Sequence, residues 1–147
     1  MDIFQDEVEA METQRTKRAR VLIAKSDQDA HESSVRYLAQ LVREEGMEVI
    51  FVRYFLIDEI AKAAMEEDVD VIALSFYGSG LIYDTSRLME LIKDYHLERV
   101  GVLIGGTINR EERDELIAMG VTEVFMPGIG TLHDVAQHIK SYVSEGG

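Results

Sequence analysis

Two side chains able to hold a metal ion stand close together near the start of the chain. Asp29 and His31 are two positions apart, and they follow closely on the apolar run 21–24. A histidine that binds a metal usually donates its second ring N–H to a carboxylate, which fixes its tautomer and raises its basicity. Lys25, at the end of the run, could pair with Asp29 in turn. A lone loop histidine is more often solvated, but this spacing favours a ligating role for His31.

The other histidines do not complete a metal cage. His96, His133 and His138 fall in helical patterns or at the start of one, and His133 and His138 are expected at the surface. The sequence contains no cysteine, which excludes thiolate ligands, disulfides and cysteine nucleophiles. A single protein ligand suits a metal that a macrocycle already holds.

Strand-like and helix-like segments alternate along the chain. The strands are predicted over 21–24, 47–52, 69–74, 100–104 and 121–126. The helices are predicted from apolar stripes and one capping box: Val35, Leu38, Ala39 and Val42; Ile57, Ile60, Ala61, Ala64 and Met65; Leu88, Leu91 and Ile92; Asn109 with Glu112; and Leu132, Val135, Ala136 and Ile139. Gly46 and Gly120 are expected to end two of these helices. The alternation predicts an α/β, flavodoxin-like, doubly wound five-stranded parallel sheet with strand order 2-1-3-4-5.

Small residues collect at the ends of the later strands. They are Ser75, Gly78, Ser79, Gly80, Gly105, Gly106, Pro127, Gly128 and Gly130. Because parallel strands end at one edge of a sheet, these loops are expected beside the loop that carries Asp29 and His31. Glycines are ordinary turn residues, but they also let the backbone approach a ligand closely. Their concentration at one edge favours a site for a large, flat ligand.

Composition bounds the class of protein. A chain of 147 residues with 46% hydrophobic residues is expected to form one globular domain, 20–147, preceded by an N-terminal tail or docking arm, 1–19. The net charge of −13 disfavours nucleic acid as a partner. No apolar run reaches the length of about 20 residues that a membrane span needs, so no membrane association is expected. The absence of cysteine fits a cytoplasmic location.

From about residue 20 to 143, the chain resembles the cobalamin-binding domains of adenosylcobalamin-dependent mutases. The loop after the first strand of that family reads A-K-x-G-x-D-G-H-D-x-G, and Ala24, Lys25, Asp29 and His31 match it in register. The S-x-L, Gly-Gly and P-G-T motifs of the family are represented by 75–77, 105–106 and 127–129. The resemblance implies adenosylcobalamin as cofactor and His31 as the lower axial ligand of cobalt, with Lys25 and Asp29 behind it as a relay.

The same resemblance implies a set of residues that contact the cofactor. They are Gln28, Asp29, Ala30, His31, Glu32, Ser33, Ser34, Ser75, Tyr77, Ser79, Gly105, Gly106, Phe125, Gly128 and Ile129. Ser75 would bond to the displaced benzimidazole of the cofactor in a deep cleft. The sequence departs from the fullest family pattern at Asp27, Ala30 and Ser34, where the family has glycine, and at Tyr77 and Ile129, where it has leucine and threonine. The side chains of Ala30 and Ser34 add bulk near the nucleotide tail, and the Tyr77 ring could stack on the benzimidazole or partly fill its slot.

The function implied is that of a small, cobalamin-binding subunit of a carbon-skeleton mutase of the acyl-CoA type. A separate large subunit would hold the substrate for the radical rearrangement, and this chain alone would not turn over. One alternative is a corrinoid carrier for methyl transfer, although about twenty residues are too few for the helical cap that usually precedes that domain. A second is a module of the same fold that has lost the corrinoid, which the departures at Ala30, Ser34 and Tyr77 keep open. A signalling receiver is disfavoured, because Ser75 stands where it would need an acceptor aspartate.

Overall fold

The computed structural model describes residues 18–26, 32–77, 79–128 and 130–144. Within these ranges five strands alternate with five helices. The strands are β1 (Arg20–Ser26), β2 (Glu48–Tyr54), β3 (Val71–Phe76), β4 (Gly101–Gly106) and β5 (Glu123–Phe125). The helices are α1 (Ser33–Glu44), α2 (Asp58–Glu66), α3 (Leu81–Asp94), α4 (Arg110–Ala118) and α5 (Leu132–Ser144). The predicted tail or arm lies outside the described residues, apart from its last two positions.

The strands form one parallel sheet in the order β2-β1-β3-β4-β5, which confirms the predicted topology. All five strands begin and end one or two residues away from their predicted bounds, and two of these differences are informative. The third strand begins at Val71 instead of residue 69, and the fifth is confined to Glu123–Phe125 instead of 121–126. Val69 and Val121 are buried in the turns that lead into these strands. An apolar run in the sequence indicates buried residues, and at these two places the chain becomes buried two residues before the strand begins.

Helices cover both faces of the sheet, and strand residues alternate between the two cores. Leu22 and Ala24 belong to the core under α2, α3 and α4, whereas Val21 and Ile23 belong to the core under α1 and α5. This alternation follows from the two-residue period of a strand. The layers are those of a doubly wound α/β domain.

Most of the predicted helix features are confirmed, with one correction. Asn109 and Glu112 form the predicted capping box, with the backbone N–H of Glu112 donating to Asn109 Oδ1 at 2.8 Å. Gly46 and Gly120 follow α1 and α4 at positive φ, as expected of helix ends. Met65, predicted in the buried stripe of α2, is instead 47% exposed because it lies at the outer margin of that stripe. Each described helix is too short and too polar for a membrane span.

Helices α1 and α5 are tied together at two levels. Near the amino ends of the strands, Glu45 accepts hydrogen bonds from Gln137 Nε2 at 2.7 Å and from Lys140 Nζ at 2.9 Å. These contacts, Lys140 above all, lower the pKa of Glu45. Near the carboxyl ends of the strands, the Tyr37 hydroxyl lies 3.4 Å from His133 Nε2. The charged tie is therefore at one end of the helix pair, and the longer contact between Tyr37 and His133 is at the other.

Candidate functional site

Four of the predicted site residues lie in one row across the carboxyl edge of the sheet. Lys25 of β1 pairs with Ser75 of β3, Ser75 pairs with Gly105 of β4, and Gly105 pairs with Phe125 of β5. Partners in a parallel register project from the same face, here the face under α1 and α5. Residues separated by a hundred positions in the sequence thus form one continuous surface.

A cleft of about 70 Å³ opens on this row, between the sheet and the two helices α1 and α5. Six of the predicted residues line it: Ser34, Ser75, Tyr77, Gly105, Gly106 and Phe125. The structure therefore brings together the third-strand motif, the glycine pair and the start of α1. Ser75 is the polar residue that β3 contributes to this mainly apolar space, and Ser34 and Tyr77 are the other residues with hydroxyl groups in its lining.

The apolar walls of the cleft were not predicted as site residues. They are Ile23, Val35, Leu38, Ala73, Leu74, Leu103 and Val135. The sequence does hold a signal for three of them, since Ile23, Ala73 and Leu103 each precede a residue of the row by two positions. Positions two apart on a strand share a face. These three wall residues could therefore be predicted by counting back two positions along the strand from each residue of the row.

The two adjacent glycines do different work. Gly106 has φ +121°, and a Cβ there would lie 1.9 Å from the carbonyl oxygen of Phe76. That carbonyl accepts a hydrogen bond from Thr107 N–H at 2.8 Å, so no side chain can enter. A Cβ on Gly105 would instead make ordinary contact with Phe125, 3.7 Å away. Glycine is thus required at position 106 by the backbone conformation and the nearby Phe76 carbonyl group. At position 105 the missing side chain leaves space in the cleft.

Lys25 is a buried cation at the end of β1. It is 3% exposed, and its Nζ donates to the carbonyl oxygen of Ser26 at 2.9 Å. A buried ammonium group is costly unless it is paired. The predicted relay partners Asp29 and His31 lie outside the described residues, as do Gln28, Ala30 and Ile129. Lys25 precedes Ser26, which is the last residue of β1 and the last one described before that loop.

Glu32, the first described residue after the loop, is held between two arginines. Its carboxylate accepts hydrogen bonds from Arg53 Nε of β2 and from Arg36 Nε of α1, the latter at 3.0 Å. The bond from Arg53, and then that from Arg36, lowers the pKa of Glu32 to about 2. Glu32 is therefore ionised at neutral pH, and it joins the start of α1 to the end of β2.

Five of the predicted residues that the structure describes do not line the cleft: Lys25 and Glu32, described above, and three others. Ser33, Ser79 and Gly128 are exposed, and a Cβ on Gly128 would meet nothing within 4 Å. The histidines of the described residues are also dispersed. His133 contacts Tyr37, and His138 Nδ1 lies 3.1 Å from Glu123. Among the residues that the structure describes, no three His, Asp or Glu side chains converge as metal ligands.

Comparison with known proteins finds one family over most of the chain. The family profile of the B12 binding domain matches residues 19–136. The pivalyl-CoA mutase small subunit of Xanthobacter autotrophicus is 38% identical over 114 residues, which cover 77% of this chain and 76% of that protein. A methylmalonyl-CoA mutase of Cereibacter sphaeroides is 28% identical over 143 residues, covering 97% of this chain but only 20% of the relative.

Solved structures agree on the fold. A cobalamin-binding protein from Desulfitobacterium hafniense superposes with a TM-score of 0.72 at 17% identity, covering 91% of this chain and 64% of that one. A two-component response regulator from Clostridium difficile superposes with a TM-score of 0.65 at 12% identity, covering 86% and 97%. At these identities the likeness concerns the fold alone.

Proposed function

The chain belongs to the B12-binding domain family, and from that premise we propose that it is the cobalamin-binding small subunit of an adenosylcobalamin-dependent acyl-CoA mutase. The observation that carries the cofactor assignment is the cleft on the row of Lys25, Ser75, Gly105 and Phe125. The subunit assignment is supported by the relative named a pivalyl-CoA mutase small subunit, which is matched over 76% of its length.

The described residues fit the nucleotide tail of a corrinoid. A flat heteroaromatic base requires apolar walls and a hydrogen-bonding partner, and the cleft offers both in Leu38, Val135 and the Ser75 hydroxyl. The glycine at position 105 leaves space for the base next to the strand. A cavity of about 150 Å³ holds benzene, so the present volume of about 70 Å³ requires the walls to part before a base enters.

The family motif assigns roles to the loop after β1. We propose that His31 is the lower axial ligand of cobalt and that Asp29 orients its imidazole. Lys25, buried near the end of β1, would pair with the Asp29 carboxylate. Gln28, Ala30 and Ile129 are proposed to contact the cofactor. Adenosylcobalamin supplies a weak cobalt–carbon bond as a source of carbon radicals; the residues of this chain bind and orient the cofactor.

A separate large subunit completes the proposed enzyme. The chain spans 20% of the methylmalonyl-CoA mutase that it matches, and the relative that it covers over 76% is named a small subunit, which supports a large subunit on a separate chain. We propose that the corresponding large subunit binds the acyl-CoA and that the assembled pair isomerises its carbon skeleton. This chain alone is not expected to turn over substrate. A cytoplasmic site of action fits the cysteine-free composition.

The proposal is tested by reconstitution with the cofactor. Purified protein is mixed with adenosylcobalamin or hydroxocobalamin, desalted and examined by absorption spectroscopy. We expect a corrin to co-elute with a base-off, histidine-on spectrum, and His31→Ala to lose that spectral form. His96→Asn is the control, because His96 is exposed in the turn after α3, does not line the cleft, and has a φ of +58° that asparagine tolerates. If no corrin co-elutes at micromolar protein, the cofactor assignment is wrong.

A second measurement separates a mutase from a methyl carrier. The loaded protein is combined with the mutase large subunit from the same source and supplied with a branched or linear acyl-CoA. Isomerisation of the acyl group supports the mutase assignment. Transfer of a methyl group from methylcobalamin to an acceptor, without isomerisation, contradicts it.

A further inference from the structure

Three large hydrophobic side chains are exposed to solvent at the carboxyl edge of the sheet. Phe55 is 70% exposed, Leu56 is 68% exposed and Tyr83 is 78% exposed. We call these three residues the edge patch. Single exposed apolar residues are ordinary, but a group of them at one place marks an interaction surface. None of the three lines the cleft described above.

The two segments that carry the edge patch are fastened to each other. Phe55 and Leu56 follow β2, and Tyr83 lies in the first turn of α3. The buried Tyr54 hydroxyl donates to Asp84 Oδ2 at 3.1 Å, and Arg87 Nη2 donates to Asp58 Oδ2 at 3.0 Å. These bonds bring the β2–α2 connection alongside the start of α3. The edge patch is therefore carried by two neighbouring segments at the same sheet edge as the cleft.

The backbone under the edge patch is fixed in place. The N–H groups of Phe55 and Leu56 both donate to Glu59 Oε2, at 2.7 Å and 3.1 Å. Tyr54, the residue before them, is fully buried. The exposed side chains are thus presented by a segment that is already ordered. Less conformational entropy is then lost on binding, which is a property of preorganised interfaces.

The comparisons indicate what covers such a surface. In the methylmalonyl-CoA mutase of Cereibacter sphaeroides and the fused isobutyryl-CoA mutase of Cupriavidus metallidurans, the matched segment is 20% and 11% of the whole protein. The rest of those proteins lies in the same polypeptide. In a small subunit the corresponding contacts must be made with another chain, so a surface that a fused protein covers internally is exposed here.

We propose that the edge patch is the docking surface for the mutase large subunit, whose matching surface is an apolar pocket bordered by basic side chains. This inference rests on the proposed function. Glu59 and Asp84 border the edge patch, Asp58 beside them is paired with Arg87, and the whole chain carries a net charge of −13. Acidic groups around an apolar centre favour a basic rim on the partner and speed its encounter. Aromatic side chains at the centre of an interface often dominate its affinity.

The test measures binding of the large subunit, from the same source, to cobalamin-loaded small subunit. The variant is Phe55→Ser combined with Tyr83→Ser. The control is Met65→Ser combined with Ile117→Ser, which removes two exposed apolar side chains away from the edge patch. We expect the dissociation constant of the patch variant to rise at least tenfold, corresponding to about 1.4 kcal/mol. The control variant is expected to bind as the wild type does.

The cofactor is measured separately on each small subunit alone. If the patch variant keeps its corrin spectrum but loses the large subunit, the docking surface is supported. If it binds the large subunit with unchanged affinity, docking occurs elsewhere and the inference is overturned. If the wild-type chain carries corrin but pairs with itself through these residues, the occupant is a second copy and the inference is again overturned. A chain that carries no corrin contradicts the proposed function instead, by a readout that does not involve the edge patch.

Discussion

Replacing Gly106 by alanine should destabilise the protein strongly, whereas the same change one residue earlier should not. At position 106 the new methyl carbon would lie 1.9 Å from the Phe76 carbonyl oxygen, on a backbone with φ +121°. A side chain at such a φ costs about 1–3 kcal/mol. Relieving the clash separates β3 from β4 at their ends and removes the hydrogen bond from Thr107 N–H, which is worth about 0.5–1.5 kcal/mol.

The free energy of unfolding should therefore fall by about 2–4 kcal/mol in Gly106→Ala. A domain of this size is stable by only about 5–15 kcal/mol, so the loss is a large fraction of the total. Urea denaturation followed by circular dichroism measures it, and the midpoint should drop by about 1–2 M. Gly105→Ala is the matched control. Its methyl carbon would sit 3.7 Å from Phe125 Cβ, and we expect a change within about 1 kcal/mol.

The comparison of the two variants is decisive because both replace a glycine of the same pair by the same residue. If Gly106→Ala unfolds within about 0.5 kcal/mol of the wild type, the steric account of that glycine is refuted. It is equally refuted if Gly105→Ala loses as much stability as Gly106→Ala, since the difference in their surroundings would then not matter.

Three further substitutions test the site and its supports. Gly105→Leu should fill the floor of the cleft, so the desalted protein should carry no corrin while its circular dichroism and cooperative unfolding are retained; a loaded variant refutes the assignment of the cleft. Hydrogen bonds from Arg53, and then from Arg36, lower the pKa of Glu32 from 4.5 to about 2, and this shift stabilises the folded protein. Glu32→Gln should remove that stabilisation. The native state binds fewer protons than the unfolded state across that interval, so this stability is fully present above pH 4.5 and is lost as the pH falls towards 2. Urea melts should accordingly show wild type and Glu32→Gln converging at low pH, and a constant difference contradicts this. Asn109→Ala should cost about 1 kcal/mol by thermal or urea unfolding, because α4 loses its side-chain cap; an unchanged midpoint shows that the cap is not needed.

The order of elements could be predicted because periodicity is a local property. Strand alternation and helical stripes depend on neighbouring residues, and right-handed crossovers then leave few sheet orders. The row of Lys25, Ser75, Gly105 and Phe125 follows from the same reasoning, since each motif ends a strand. The register that aligns them is a long-range property, and the structure supplies it.

Other features have no local signal. Phe55 and Leu56 are two apolar residues in an apolar-rich sequence, and only the packing of α2 and α3 reveals that they face water. Met65 satisfies the helical period and is still exposed, because the core stops short of the margin of its stripe. The pairing of Glu32 with Arg53 joins residues 21 positions apart, and no spacing rule predicts it. Tertiary packing decides each of these cases.

The unequal ties between α1 and α5 determine how the walls of the cleft can separate. The charged tie at Glu45 resists separation at one end of the pair, whereas the long contact between Tyr37 and His133 resists it weakly at the other. Opening of the cleft is therefore expected to occur by rotation of the two helices about the end that Glu45 holds. A helix of twelve residues is about 18 Å long, so a rotation of about 10° about the charged end moves the far end by about 3 Å. The free energy of that rotation is subtracted from the binding free energy of any ligand that enters the cleft. The contacts between α1 and α5 therefore help to set the affinity of the cleft for its ligand.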